Sequence, residues 1–166
     1  LCNVRYNIGM DKISQVKLSK QLNQIILASG RHGYTIGVNA ANGRPLFEYG
    51  DYNCKWQIPS PTVIGPNRVL LTGGYGAGTA VFEVVRGGNG YNTRTVWANK
   101  NLGSHIGQAL LYKGNLYANS QDTRGGLRCL SLDGRILWDS TRQRRTFERG
   151  NLLIAGNLVF IIDGRN

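Results

Sequence analysis

Arginine is the residue type in this sequence whose spacing is best suited to chemistry. The segment TRQRRTFERG holds four of them close together: Arg142, Arg144, Arg145 and Arg149. A guanidinium is a planar, permanently charged group that can donate two parallel hydrogen bonds to a phosphate or a carboxylate. We therefore expect these arginines to contact an anionic partner. The plain alternative is a solvated connection between two strands.

The charge of the whole chain points in the same direction. The 166 residues include 20 Lys and Arg against 9 Asp and Glu, which gives a net charge of +11. Such a balance favours a nucleic acid such as RNA, an acidic protein face or a lipid headgroup surface. Charge alone does not choose among these anions, so the class of partner stays open at this point.

Sequence patterns typical of catalysis or metal binding are not found. Cys2, Cys54 and Cys129 are too few and too scattered for a disulfide framework or a CxxC zinc site, and His32 and His105 lie far apart. The glycine-rich TGGYGAGTA lacks the GxxxxGK[ST] pattern of a phosphate-binding loop and is interpreted as a turn between two strands. We therefore predict no cofactor, no metal site and no catalytic residue, and we lean away from an enzyme.

The elements that must position these residues are short strands that recur along the chain. Apolar segments rich in Val, Ile, Leu, Tyr and Trp end at Gly, Asn or Asp, which is typical of strands and turns. Four of them, NQIIL, NRVLL, NLYAN and NLVFI, begin at an asparagine, with spacings of 44, 48 and 42 residues. A second series, RPLFEY, RTVWAN and RILWDS, places an aromatic residue at Phe47, Trp97 and Trp138, with spacings of 50 and 41. Two series with one shared period indicate a structural repeat.

A period of about 40 to 50 residues is typical of the four-stranded blades of a β-propeller. The sequence thus predicts an all-β fold, a propeller segment over 1–166 with about three and a half to four antiparallel blades. The approximate blades are 11–50, 57–100, 105–141 and an incomplete 149–166. Asn42-Gly43 and Asp133-Gly134 are predicted as hairpin turns, because such turns need positive φ.

Two strings, GLRCLSLDGRILWDS and GYTIGVNAANGRPLFEY, resemble the β-propeller repeat of the pyrroloquinoline-quinone type. Over nearly the whole chain, the order of segments is similar to that of secreted bacterial proteins that share the outer-membrane-assembly propeller fold. The resemblance implies a ring of about seven or eight blades, a scaffold or binding role, and a periplasmic or secreted location. His105 precedes the innermost strand of its blade, GQALLY, and Gln108 lies near the start of that strand, so we expect both to face the channel, where propellers usually bind ligands.

The same resemblance extends to quinoprotein dehydrogenases, for which it implies a vicinal Cys-Cys, a calcium site and a catalytic Asp. The chain contains no Cys-Cys pair and only 9 acidic residues. The leading hypothesis is therefore a non-catalytic propeller module that presents loops and a channel mouth to a ligand, with a protein partner expected. Two alternatives stay open: a quinoprotein-like oxidoreductase whose cofactor residues lie outside this chain, and a basic propeller that docks on RNA or another anionic scaffold.

The strand count also bears on whether the chain forms a complete propeller. The final segment IIDGRN falls where a third strand should follow, so we expect either a fragment of a longer polypeptide or two copies that complete one ring. LCNVRY at the start is read as an outer strand of an earlier blade.

No apolar run approaches the length needed to span a bilayer, so no transmembrane segment is predicted.

Overall fold

The computed structural model describes residues 25–29, 34–120 and 125–164. Three expectations fall outside these ranges: the first strand of the first repeat, ISQVKL at 13–18, the N-terminal LCNVRY, and the position of His32. Cys2 lies outside them as well.

Within this part of the chain the protein is all-β, as predicted, with four antiparallel sheets. The first sheet contains β1 (Ile25–Ser29), β2 (Thr35–Asn39) and β3 (Pro45–Tyr49). The second contains β4 (Thr62–Val63), β5 (Arg68–Gly73), β6 (Gly78–Gly87) and β7 (Gly90–Asn99). The third contains β8 (Leu110–Tyr112), β9 (Asn115–Ser120), β10 (Gly126–Leu130) and β11 (Ile136–Asp139), and the fourth β12 (Leu152–Ala155) and β13 (Leu158–Ile161).

Each sheet is a simple meander, because strands that follow one another in sequence are neighbours in the sheet. Every strand expected from the sequence within the described ranges is found, and the described residues contain no α-helix. One 3₁₀-helix, Ser140–Gln143, follows β11. None of the described residues belongs to a helix long and apolar enough to cross a membrane.

The predicted hairpin turns are confirmed at both positions. Gly43 has φ +72° and Gly134 has φ +84°, values that cost an L-residue with a Cβ about 1–2 kcal/mol. The sequence did not predict the bulge that accompanies these hairpins. A register shift interrupts the pairing of the last two strands in the first, second and third sheets, at Gly37/Val38, Val81/Phe82 and Cys129/Leu130.

The core lies on both faces of the second sheet. Side chains alternate along a strand, so Val69 and Leu71 of β5 join one apolar cluster while Leu70 joins another. The cluster shared with the first sheet contains Phe47, Tyr49, Tyr52, Cys54, Val69, Leu71, Ala80, Phe82 and Val84. The cluster shared with the third sheet contains Ile64, Leu70, Val81, Leu102, Ala109, Leu116, Ala118 and Leu130. The sheets are therefore stacked face to face, with the second between the first and the third.

Neighbouring sheets contact each other through strands that hold the same position in their sheets, first strand with first strand and last with last. β3 and β7, the last strands of the first and second sheets, lie against each other. β8, the first strand of the third sheet, contacts both β4 and β12, the first strands of the sheets before and after it. Successive sheets therefore keep the same strand order from one edge of the stack to the other.

Candidate functional site

Three segments carry the chain from the last strand of one sheet to the first strand of the next: 50–61, 100–109 and 140–151. The β5–β6 turn, 74–77, lies at the same end of its sheet, because Thr79 at the start of β6 pairs with Asn99 at the end of β7. We call these three segments and this turn the crossover end. All six candidate residues from the sequence lie on it: His105, Gln108, Arg142, Arg144, Arg145 and Arg149.

His105 packs against the β5–β6 turn of the preceding sheet. Its ring centroid lies 4.5 Å from that of Tyr75, and its Nε2 accepts a hydrogen bond of 3.4 Å from the Tyr75 backbone N–H. A Cβ added at Gly74 would lie 2.2 Å from His105 Cδ2, so only glycine leaves room for the imidazole. The glycine-rich TGGYGAGTA is confirmed as a turn between strands, and His105 is part of its support.

Tyr75, the aromatic residue of this turn, has 66% of its surface accessible. Its φ of +59° is unusual for a residue with a bulky side chain. Backbone strain of this kind persists only where surrounding contacts enforce it. The imidazole of His105 supplies such a contact, so the Tyr75 ring is held at the surface in a fixed position. No sequence pattern predicts this pair, because the two residues are 30 positions apart.

Gln108 lies on the same segment as His105 but contacts a different strand. Its side-chain amide donates to the Thr62 hydroxyl at 3.1 Å, and that hydroxyl donates to the Ala109 carbonyl at 2.8 Å. These bonds connect the beginnings of β4 and β8. Gln108 therefore links two neighbouring sheets, while His105 supports the exposed turn.

The four arginines lie on a short segment with a defined backbone. The 3₁₀-helix begins after Asp139, whose carboxylate accepts a 2.8 Å hydrogen bond from the Thr141 N–H, and it ends at Arg144, whose φ is +58°. The Ser140 hydroxyl accepts from the Leu127 N–H and donates to the Arg145 carbonyl. We call residues 142–149 the basic segment.

The basic segment is held at its far end as well. The Asn119 side-chain amide donates to the Glu148 carbonyl at 2.9 Å, and the Glu148 N–H donates to the Asp163 carboxylate at 3.0 Å. The backbones of segments 100–109 and 140–151 pack closely, since a Cβ at Gly107 would lie 2.7 Å from the Gly150 carbonyl oxygen. The segment that carries His105 and the segment that carries Arg149 therefore touch.

All four arginines of the basic segment are exposed. Over the described ranges, no carboxylate lies within salt-bridge distance of any of them. Other arginines do have such partners: Arg128 pairs with Asp139 at 2.7 Å, and Arg94 with Glu83 at 3.0 Å. The structure thus separates arginines that pair inside the fold from a group that faces solvent.

A buried ion pair, which the sequence did not reveal, lies beneath the basic segment. Arg128 is 7% exposed and donates to the Asp139 carboxylate at 2.7 Å, to the Ser120 hydroxyl at 2.7 Å and to the Asn101 carbonyl at 3.0 Å. Burial alone would raise the pKa of Asp139, but hydrogen bonds from Thr141 and Arg128 outweigh it and hold that pKa below its ordinary value. Arg128 thereby fixes the residue that starts the 3₁₀-helix.

The two cysteines in this part of the chain are buried thiols. Cys54 is 1% exposed and Cys129 is 2% exposed. Burial raises the pKa of the Cys129 thiol, although a hydrogen bond with Tyr117 acts in the opposite direction. The described residues contain no group of three or more His, Cys, Asp or Glu side chains placed to hold a metal ion.

The chain matches no model of a known protein family, and a search of curated proteins finds no match either.

Proposed function

We propose that this chain is part of a β-propeller of the pyrroloquinoline-quinone repeat type, and that it acts as a non-catalytic binding module. The observation that carries the proposal is that the meander sheets stack one after another, with first strands in contact with first strands and last strands with last strands. β4, β8 and β12 meet at one edge and β3 meets β7 at the other. Blades around a central channel have this arrangement, with first strands innermost and last strands outermost.

The contact between Trp97 and the next sheet supports the same architecture. The indole N–H of Trp97, near the end of β7, donates to the Leu132 carbonyl in the β10–β11 turn at 3.0 Å. A Cβ at Gly134 would lie 3.0 Å from three atoms of the Trp97 ring. Trp97, one member of the repeated aromatic series, therefore packs on the Gly-containing turn of the following sheet.

The binding role rests on the division between the two ends of the sheets. The hairpin turns before the last strands, at 40–44, 88–89 and 131–135, are short. The crossover end carries longer segments with exposed side chains, among them Trp56, Ile58, Tyr75, Ile106 and the basic segment. Binding residues concentrate on loops that a rigid scaffold positions. The crossover end is therefore the surface that this module presents to its partner.

Site-specific photo-crosslinking tests the binding role. A photoreactive amino acid is placed at Ile106, which is 41% exposed at the crossover end, or at the exposed Arg86 near the opposite end of the same stack. We expect crosslinked adducts from Ile106 and none from Arg86. Adducts from Arg86 alone would overturn the assignment of the crossover end.

Quinone titration tests the non-catalytic part. Purified protein with Ca²⁺ is titrated with pyrroloquinoline quinone, followed by absorbance and by oxidation of an alcohol and a sugar with an artificial electron acceptor. We expect neither saturable binding nor turnover. Saturable binding accompanied by substrate oxidation would establish the quinoprotein-like alternative instead.

A further inference from the structure

We infer that the crossover end binds single-stranded nucleic acid, with the basic segment on the phosphates and the Tyr75 ring stacked on a base. This inference rests on the proposed role as a binding module and names the class of its partner. Proteins that bind single strands combine a positively charged path for the backbone with aromatic side chains on which bases stack.

Paired and unpaired arginines are separated in this structure. Arg128, Arg94 and Arg68 have carboxylate partners within the fold, Asp139 for the first and Glu83 for the other two. The exposed guanidiniums of the basic segment have none in the part of the chain that the structure describes. Like charges crowded on one short segment repel one another, so the binding of an external anion that neutralises them is favourable.

The basic segment is ordered before any partner binds. Its backbone bonds begin at Ser140, include the N–H groups of Arg144 and Arg145, and end at Glu148. A segment fixed in this way loses less conformational entropy when it binds. Arg144 also has left-handed backbone geometry, with φ +58°, which is uncommon for arginine and marks a position that the surrounding structure enforces.

The exposed ring of Tyr75 provides a surface on which a base can stack. Hydrophobic burial does not explain an aromatic residue that is 66% exposed in a left-handed conformation. His105 packs on the ring at 4.5 Å and restricts its motion, so little ordering remains for a base to provide. Stacking on such a ring is tolerant of base identity, since every base has a π-face.

The two features belong to one surface. Gly107, two residues after His105, lies against Gly150, the residue after Arg149. The support of the aromatic ring and the end of the basic segment are thus joined by a backbone contact. An acidic protein or an acidic glycan would use the charge of the arginines without requiring base stacking on Tyr75. The pairing of ring and guanidiniums therefore favours a nucleic acid strand.

Fluorescence anisotropy with a labelled oligouridine of about 12 nucleotides, a length within known single-strand site sizes, tests the inference. We expect saturable binding that weakens steeply with salt, because neutralised phosphates release counterions. Replacing Arg142, Arg144 and Arg145 together by Ala should reduce the magnitude of the salt slope by about 2, since each single-strand phosphate contact contributes about 0.7. Affinity at low salt should fall by about tenfold or more.

A matched control removes the same charge from the other end of the sheets. Arg44, Arg86 and Arg135 are exposed beside the hairpin turns that precede β3, β7 and β11. Their triple replacement by Ala lowers the net charge equally and should leave the salt slope within error of the wild type. Equal losses in the two triple variants would mean that net charge alone attracts the strand, which would overturn the assignment.

Tyr75 is tested by a pair of substitutions. Asn tolerates positive φ, so Tyr75→Asn preserves the turn while removing the ring. We expect affinity to fall by about 5- to 100-fold with an unchanged salt slope, whereas Tyr75→Phe retains binding because it keeps the π-face. Thermal unfolding confirms that each variant is folded.

Three results would overturn the inference: no binding of the oligouridine at low salt, binding insensitive to the basic segment, or binding insensitive to Tyr75→Asn. Heparin and a poly-glutamate peptide are titrated in parallel. Tighter binding of either, with no effect of Tyr75→Asn, would assign the surface to an acidic glycan or an acidic protein. Photo-crosslinks from Ile106 to such a partner would still support the binding module, so the two proposals can fail separately.

Discussion

The two faces of the second sheet are packed by different means. Towards the first sheet the contact is aromatic: the rings of Tyr49 and Phe82 are stacked 4.1 Å apart, and Phe47 meets Phe82 edge to face at 6.5 Å. Towards the third sheet the contact is aliphatic, with the buried ion pair of Arg128 and Asp139 at its edge. Both faces exclude water, but only one contains a buried charge.

A repeat can therefore vary in how its sheets are packed while the architecture stays constant. Apolar contacts are non-directional and tolerate small shifts between sheets. The ion pair fixes a position, because Arg128 of β10 also donates to the carbonyl of Asn101 on the preceding crossover segment at 3.0 Å. The third sheet therefore has a fixed relation to the crossover end, and so does the basic segment that follows Asp139.

The largest effect is expected from breaking the buried pair. Arg128→Met keeps much of the side-chain volume and leaves the Asp139 carboxylate buried without its cation, which should lower the free energy of unfolding by about 3–5 kcal/mol. Arg94→Met is the control. The Arg94 side chain is 70% exposed, and the buried Glu83 carboxylate keeps Arg68 at 3.7 Å as a second cation, so the loss of Arg94 should cost about 1 kcal/mol or less. Urea denaturation measures both, and similar values would contradict the distinction.

The aromatic face should respond next. Phe82 is fully buried, and Phe82→Leu removes the stacked pair with Tyr49 along with some volume, for an expected loss of about 2 kcal/mol. Val96→Ala on β7, at a 38% exposed position, should change stability by less than about 0.5 kcal/mol. Chemical denaturation again provides the measurement. A Phe82→Leu variant as stable as the wild type would mean that the stacked ring adds nothing to this interface.

The two repeated turns allow a smaller, sharper comparison. A Cβ at Gly43 meets nothing within 4 Å, whereas one at Gly134 meets the Trp97 ring at 3.0 Å. Both glycines have positive φ, so Ala at either position costs about 1–2 kcal/mol through the backbone. Gly134→Ala should cost about 1 kcal/mol more, because the indole must shift. Thermal unfolding of the two variants side by side measures that difference, and its absence would count against the Trp97 contact.

The smallest effect is the acid dependence that Asp139 contributes. Its folded-state pKa is depressed, so its contribution to stability is complete above the unfolded pKa of about 3.9 and is lost as the pH falls through the folded value. Between about pH 6 and about pH 3, the wild type should lose more stability than Asp139→Asn, which lacks the titrating group. If stability falls with pH equally in the two proteins, the Asp139 carboxyl does not contribute to the loss of stability at low pH.

Much of the local structure followed from short sequence patterns. RVLLTGG and NLYANS are short segments rich in apolar residues that end at turn-forming residues. This pattern predicted β5 and β9. Asn42-Gly43 and Asp133-Gly134 predicted turns because few residues accept positive φ. The recurring bulge in three sheets was not predictable, since neither its position nor its twist has a residue signature in this chain. The propeller itself stays a prediction.

The strands and their turns could be predicted because each depends on residues only a few positions apart. The period of the repeat followed from the spacing of similar segments, and the excess of positive charge from composition. Which arginines are paired depends instead on three-dimensional packing. Arg128 and Arg145 look alike in the sequence, yet one is buried on Asp139 and the other is exposed. It also brought Tyr75 against His105 across 30 positions. The stacking of whole sheets sets such contacts, and that depends on every buried face together.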